Sequence, residues 1–178
     1  ESTDGGGSMQ LVSRLRRVAA SNQTVIVATP GEYLELYRIR CTAEGAPIDR
    51  LLVYLTQPAP PEAEIRWSIV APRQGELIAH RLPVAQHVDW SCPEVGELWE
   101  LRLPPIPAGS IQIEGRRENR WNPVSRPALL VVPQSMDRKS QVVLRHPGSL
   151  DLLIDSTAMD VVPAKTIAGV PEDPAVEP

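Results

Sequence analysis

Short stretches in which apolar and polar residues alternate, broken by clusters of proline and glycine, constrain the fold of this chain more than any other feature. In one of them, Ile65, Trp67 and Ile69 alternate with polar residues. A period of two places neighbouring side chains on opposite faces of a strand, so each stretch predicts a strand with one face on a core and the other in water. The clusters between the stretches mark turns, and they hold ten of the chain's 19 prolines.

About ten stretches predict about ten short strands. They span residues 24–28, 37–41, 51–56, 65–69, 76–82, 99–103, 111–113, 128–132, 141–145 and 149–155. Short strands at regular spacing are typical of an all-β fold, and we expect an antiparallel β-sandwich, immunoglobulin-like or jelly-roll-like, with little helix. The expected core is the apolar phase of these strands: Ile65, Trp67, Ile69, Trp99, Leu101, Leu103, Ile111, Ile113, Leu130, Val132, Val142 and Leu144.

The length of 178 residues indicates one domain, which would bury about 70% of its surface on folding. Residues 1–8 (ESTDGGGS) are small, polar and glycine-rich, so they are expected to be a flexible linker or a tag remnant. The single domain is expected to span residues 9–162, followed by a proline-rich, acidic tail or linker at 163–178. Residues 9–20 fit a helix or a strand, and we favour the strand because a lone helix would be unusual in this composition.

An internal repeat joins residues 75–83 to residues 96–104, where six of nine positions agree (GELIAHRLP and GELWELRLP). Two copies are too few for a solenoid, which needs three or more repeats. We therefore interpret them as two strands of the same kind. The proline that ends each copy suits an edge strand or a crossing between sheets.

Searches for chemistry give no catalytic constellation. His80, His87, Asp89 and Cys92 are residue types that bind metals, but their spacing matches no recognised metal site. A thiol site at Ser91 and Cys92 would need His87 and Asp89, which are expected to point the same way on a strand, and no oxyanion donors are indicated. We expect no enzyme activity, no metal and no organic cofactor.

The two cysteines leave two alternatives open. A disulfide between Cys41 and Cys92 would close a loop of about 50 residues and would stabilise the fold by about 4 kcal/mol in the chain-entropy model. In the other alternative both are unpaired thiols, one buried in a strand and one in a loop.

The best candidate for a binding surface is the basic stretch at residues 115–121. Arg116, Arg117 and Arg120 lie beside Trp121 there, and Trp90 occupies another turn. Arginine next to an exposed tryptophan can stack on a sugar or anchor a protein interface. The alternative is a hairpin loop with solvated arginines and a tryptophan folded onto the rim of the core. The net charge of −4 gives no reason to expect nucleic acid, and no apolar run is long enough to span a membrane.

Residues 99–113 (WELRLPPIPAGSIQI) form a strand, a proline–glycine turn and a strand. This unit is similar to units of extracytoplasmic β-sandwich modules in large multidomain bacterial envelope proteins. The resemblance implies a periplasmic, cell-envelope or secreted location. Two functions follow as expectations. The first is a non-catalytic module of a larger protein, used for spacing or for contact with a partner protein or neighbouring domains. The alternative is a carbohydrate-binding module that holds a glycan on Trp90 and Trp121.

Overall fold

A computed structural model describes residues 18–42, 48–60, 63–104, 109–120, 126–136 and 140–145. All of them belong to one compact unit, Glu1–Pro147, whereas the unit Gly148–Pro178 and the strand predicted at 149–155 lie outside the described residues. Strands account for 62% of the described residues and helix for 6%. Within this part of the chain no helix is long and apolar enough to cross a membrane. The boundaries predicted for the linker, domain and tail remain a prediction.

Ten strands form two sheets, and nine of the ten predicted stretches contain or overlap them. The strands are β1 (Ala19–Thr29), β2 (Glu32–Thr42), β3 (Arg50–Leu55), β4 (Ile65–Ala71), β5 (Gly75–Glu76), β6 (Ile78–Arg81), β7 (Glu97–Arg102), β8 (Ser110–Arg120), β9 (Leu130–Val131) and β10 (Ser140–Arg145). The prediction of a β-rich chain with little helix is therefore confirmed.

The larger sheet has six strands in the order β10-β1-β2-β8-β4-β5, and it is mixed. Its strands are antiparallel neighbours except β1 and β10, which run parallel with Asn22 opposite Ser140. The expectation of purely antiparallel sheets is wrong at this pair. Alternation sets which face of a strand is buried but not its direction, and more than a hundred residues separate β1 from β10, enough for either direction.

The smaller sheet has four antiparallel strands in the order β6-β7-β3-β9. Its central strand β3 is an uninterrupted apolar run from Leu51 to Leu55, and every one of these residues is buried. Such an unbroken apolar run is typical of a strand that is covered on both faces. The inner face of β3 packs into the core between the sheets, while Leu52 and Tyr54 on the outer face belong to a second, smaller cluster with Leu98.

Side chains from both sheets share one hydrophobic core. Nine of the twelve residues expected in it are buried: Ile65, Trp67, Ile69, Leu101, Leu103, Ile111, Ile113, Leu130 and Val132. Trp99 is only half-buried and packs against the rim of this core. Val142 and Leu144 are also half-buried, because β10 is an outer strand of its sheet.

The two copies of the internal repeat have different places in the fold. In the first copy, β5 pairs with β4 in the six-stranded sheet, and β6 pairs with β7 in the four-stranded sheet. The chain thus crosses between sheets at Leu77, inside the copy and not at the proline that ends it, while β6, which precedes that proline, is an outer strand. The second copy forms β7, which lies between β6 and β3. The interpretation of two equivalent strands is therefore wrong, because only the second copy stays within one sheet.

Gly115 permits the closest packing within the six-stranded sheet. It lies opposite Trp67, and a Cβ at Gly115 would be 2.5 Å from the indole Cζ3 of Trp67. On its other side, Tyr37 stacks near this indole with ring centroids 5.9 Å apart. Only a residue without a side chain leaves room for the ring here.

Candidate functional site

The basic stretch at 115–120 is not a loop. It is the second half of β8, hydrogen-bonded between β2 and β4. Alternation along the strand leaves Arg116 and Arg120 exposed and turns Arg117 inward, where it is 1% exposed. The prediction that Arg117 is a surface binding residue is therefore wrong, since its side chain faces the interior of the molecule. Trp121 lies outside the described residues.

Arg117 belongs to a buried polar cluster that we call the Glu35 centre, made of Glu35, Tyr37, Arg117, Asn119 and the backbone of Ala128. Glu35 is fully buried, and Arg117 Nε donates to its Oε2 in a very short ion pair. The same oxygen accepts hydrogen bonds from the Tyr37 hydroxyl at 2.8 Å and from Asn119 Nδ2 at 2.9 Å. Glu35 Oε1 accepts one from the Ala128 N–H at 2.6 Å.

Glu35 and Arg117 form a buried ion pair at the Glu35 centre. Burial, together with the charge of Glu35, raises the pKa of the Tyr37 hydroxyl well above its ordinary value. Burial lowers the pKa of the Arg117 guanidinium, but hydrogen bonding to Glu35 and the charges of Tyr37 and Glu35 outweigh it, so the pKa is raised. Arg117 is thus a permanent cation and Tyr37 a neutral donor. The centre connects β2 and β8 to the segment before β9, which is a structural role.

Sequence reasoning missed Glu35, although a signal for it exists. Glu35 has the same phase in β2 as Tyr37 and Cys41, which are both fully buried, and Arg117 has the same phase in β8 as Ile113. An acidic and a basic residue that both fall in the inward phase of long strands predict a buried ion pair. We applied the period of two to apolar residues only.

His87 and Asp89 do not lie on a strand. The connection from β6 to β7 contains two short 3-10 turns, Val84–Gln86 and Val88–Trp90, which point the two side chains apart. His87 is buried with Nδ1 2.9 Å from the carbonyl oxygen of Pro93, whereas Asp89 is exposed. The expectation that both residues point the same way is wrong, because a turn replaces the period of two.

The geometry around Cys92 is that of a structural thiol. Its Sγ donates to the Trp90 carbonyl oxygen at 3.7 Å, and burial raises the pKa of the thiol above its ordinary value. His80 is exposed on the outer strand β6. Across the described ranges, no group of three or more His, Cys, Asp or Glu side chains is placed to hold a metal ion.

The two cysteines are both free thiols, so the disulfide alternative is not realised. Cys41 is fully buried on the inner face of β2 in the main core, while Cys92 is half-buried in the loop after β6. Burial raises the pKa of the Cys41 thiol to about 11. The arrangement is one buried thiol and one loop thiol.

The loop between β6 and β7 covers the outer face of the four-stranded sheet. Trp90, with Leu82 and Cys92, packs against the second cluster, so Trp90 is half-buried. Two side chains hold the loop at one point, because the Tyr54 hydroxyl donates to the Pro93 carbonyl at 3.1 Å and His87 contacts the same oxygen. Tyr54 therefore fastens this loop to β3, and His87 makes a contact within the loop itself.

The outer side of this loop carries an exposed apolar surface. Val84, Val88 and Val95 are 49%, 77% and 69% exposed, and Ile78 on the neighbouring β6 is 62% exposed. Ile78 faces outward because the next residue, Ala79, packs on the core. We call these four residues the valine surface. They make up four of the seven exposed large hydrophobic side chains in the described part of the chain. Sequence reasoning missed them, although aliphatic residues in a polar loop are the available signal.

Comparisons with known proteins add no family to this description. No protein-family model matches the chain, and no curated protein matches it either.

Proposed function

We propose that this chain is a non-catalytic β-sandwich module of a larger secreted or cell-envelope protein, and that it contacts another protein through the valine surface. The observation that carries the proposal is the placement of Val84, Val88 and Val95 on the outside of a loop that is itself fastened to the sheet. Three exposed aliphatic side chains on one ordered loop favour an interaction site, since single exposed ones scattered over a surface need no explanation.

Two physical arguments support contact with a protein. Burying each of these aliphatic side chains contributes about 1.5–3 kcal/mol relative to leaving it in water. The loop is already ordered by His87 and Tyr54, so binding costs little additional conformational entropy. A folded partner with an apolar surface of its own fits both arguments.

The sandwich architecture and the location are part of this proposal. The common core between the two sheets supports the sandwich, in which β10 is a parallel addition to antiparallel sheets. The location is supported by the resemblance of residues 99–113 to extracytoplasmic modules. Binding of a glycan by Trp90 and Trp121 stays a prediction, since Trp90 packs on the second cluster and Trp121 is outside the described residues.

The proposal is tested by site-specific photo-crosslinking of the full-length protein in the cells that produce it. A benzoylphenylalanine at position 88 is expected to capture one protein reproducibly, and the same residue at position 21 is expected not to. Ser21 is the matched control because it is exposed on β1, in the other sheet.

The captured protein is then purified and its affinity for two variants is measured by calorimetry. Val88→Asp is expected to weaken binding about tenfold or more, as for an interface residue worth over 1 kcal/mol, and Ser21→Asp, which adds the same charge, is expected to leave it unchanged. Equal crosslinking from both positions, or equal affinity of both variants, would contradict the proposal.

A further inference from the structure

A groove of about 630 Å³ opens between the two sheets, where the chain crosses from β5 to β6. Its apolar lining includes Ile65, Trp67, Leu77 and Trp99. This volume lies in the range of sites that hold a small molecule or a short segment of chain. The groove belongs to neither the Glu35 centre nor the valine surface.

One side of the groove is an open backbone edge. The ladder between β4 and β5 is short: Ser68 pairs with Glu76 and Ile69 with Gly75, and the Leu77 N–H then donates to the Trp67 carbonyl at 2.9 Å. Alternate residues of a strand direct their N–H and C=O to the same edge, so Ile65 directs its own toward the side on which Trp67 meets Leu77. Among the described strands, only β8 pairs with Ile65, and it does so on the opposite side.

The groove also carries unpaired polar groups. Glu76 is exposed at its rim, and no cation of the described residues forms an ion pair with it. Glu64, also in the lining, is held only by a 3.8 Å contact with the exposed Arg66. Beneath them, the buried indole N–H of Trp67 has no hydrogen-bond partner. Arg66 is also in the lining, so the rim carries two carboxylates and one guanidinium, a net negative charge that favours a basic ligand above an apolar floor.

We propose that this groove binds an extended peptide segment of a partner protein as an added strand on the free edge of β4. The peptide backbone pairs with Ile65, one aliphatic side chain enters the apolar lining, and a lysine or arginine beside it faces Glu76. Main-chain pairing at a sheet edge supplies affinity in this mode, and alternate side chains supply specificity. A saccharide fits less well, because Trp67 is only 2% exposed, which leaves the half-buried Trp99 as the one accessible indole of the lining.

The probe is an acetylated and amidated heptapeptide that alternates lysine and valine. The full chain with Trp90→Phe and Trp121→Phe leaves Trp67 and Trp99 as its fluorescent reporters, and both line the groove. We expect the peptide to change their emission and to slow hydrogen exchange of the Ile65 amide. Two altered peptides, one with glutamate for lysine and one with proline for the central valine, are expected to bind about tenfold more weakly or worse, because one reverses the charge and the other removes a ladder donor.

A charge reversal with a matched control tests the rim. Glu76→Lys is expected to weaken the basic peptide about five- to tenfold, while Glu94→Lys makes the same change of net charge on an exposed loop outside the groove and is expected to leave the affinity within about twofold.

Unchanged exchange at Ile65, equal binding of the proline peptide, or equal effects of the two charge reversals would each overturn the proposal. Emission that responds to a linear glucan heptamer but not to the peptide would also overturn it, in favour of a saccharide site. Val88 does not line the groove, so these outcomes do not bear on the crosslinking result from position 88.

Discussion

At the scale of single residues, the main feature is a charge pair in the middle of a sheet. Glu35 and Arg117 are removed from water, which costs several kcal/mol for each ion, and the cost is offset only if every lone pair and proton finds a partner. Glu35 meets this condition with four donors, whereas Arg117 Nη1 and Asn119 Oδ1 have none. Each charge therefore stabilises the fold only while the other is present. Removing either one leaves the other buried without a counter-ion.

Replacing Glu35 by Leu is expected to destabilise the protein by about 3–5 kcal/mol, because it leaves the Arg117 cation buried and unpaired. The double change Glu35→Leu and Arg117→Met removes both charges, so most of this loss should be recovered. Urea unfolding of the three proteins measures the difference. A double variant no more stable than Glu35→Leu alone would show that the ion pair is not the source of the loss.

The buried Cys41 is expected to lower the free energy of unfolding as the pH becomes alkaline. Burial raises the pKa of its thiol from 9.0 to about 11, so the unfolded chain loses the proton first as the pH rises. Proton release then favours unfolding, and the free energy of unfolding is expected to fall between about pH 9 and pH 11. The raised pKa of Tyr37, caused by burial and by Glu35, extends the loss above pH 10. Cys41→Val should fall less steeply from pH 9 to pH 10 in urea titrations, and identical slopes would contradict this assignment.

At the scale of elements, the packing of β8 beside β4 depends on Gly115, whose lack of a side chain leaves room for the Trp67 ring. Gly115→Ala would place a Cβ 2.5 Å from the Trp67 ring, and the ring cannot move freely because Tyr37 stacks against it. We expect a loss of about 1–3 kcal/mol from this overpacking. Gly75→Ala is the matched control, since nothing lies within 4 Å of its Cβ, and its effect should stay within about 0.5 kcal/mol. Thermal unfolding that ranks the two variants equally would contradict the packing at Gly115.

The strands show which parts of the fold a sequence can predict. Where one face is apolar, as in residues 65–69, alternation predicted the strand and its buried side correctly. The direction of β10 and the division of the first repeat into β5 and β6 could not be predicted, because both depend on partners far away in sequence. The candidate site shows a related difference. The charge of residues 115–120 favours a surface loop, whereas their phase continues the apolar alternation of Ile111 and Ile113 and is that of a strand.

At the scale of the whole molecule, the two sheets share a core but offer different outer surfaces. The six-stranded sheet presents charged pairs to solvent, such as Arg38 with Glu114 at 3.1 Å and Arg116 with Glu118 at 2.8 Å. Exposed pairs of this kind contribute little energy and keep a surface soluble. The four-stranded sheet has such pairs too, among them Arg81 with Glu97 at 3.1 Å, but it also carries the loop with its exposed valines. This difference supports the assignment of the proposed contact to the valine surface.

The most direct test of this assignment is the hydrogen-exchange footprint of the captured partner on the full-length protein. Binding at the valine surface is expected to slow exchange in β6 and in residues 82–96, which contain Val84, Val88 and Val95, and to leave residues 116–120 of β8 unchanged. Protection of residues 116–120 with no change in residues 82–96 would contradict the account and would return the contact to the exposed arginines Arg116 and Arg120.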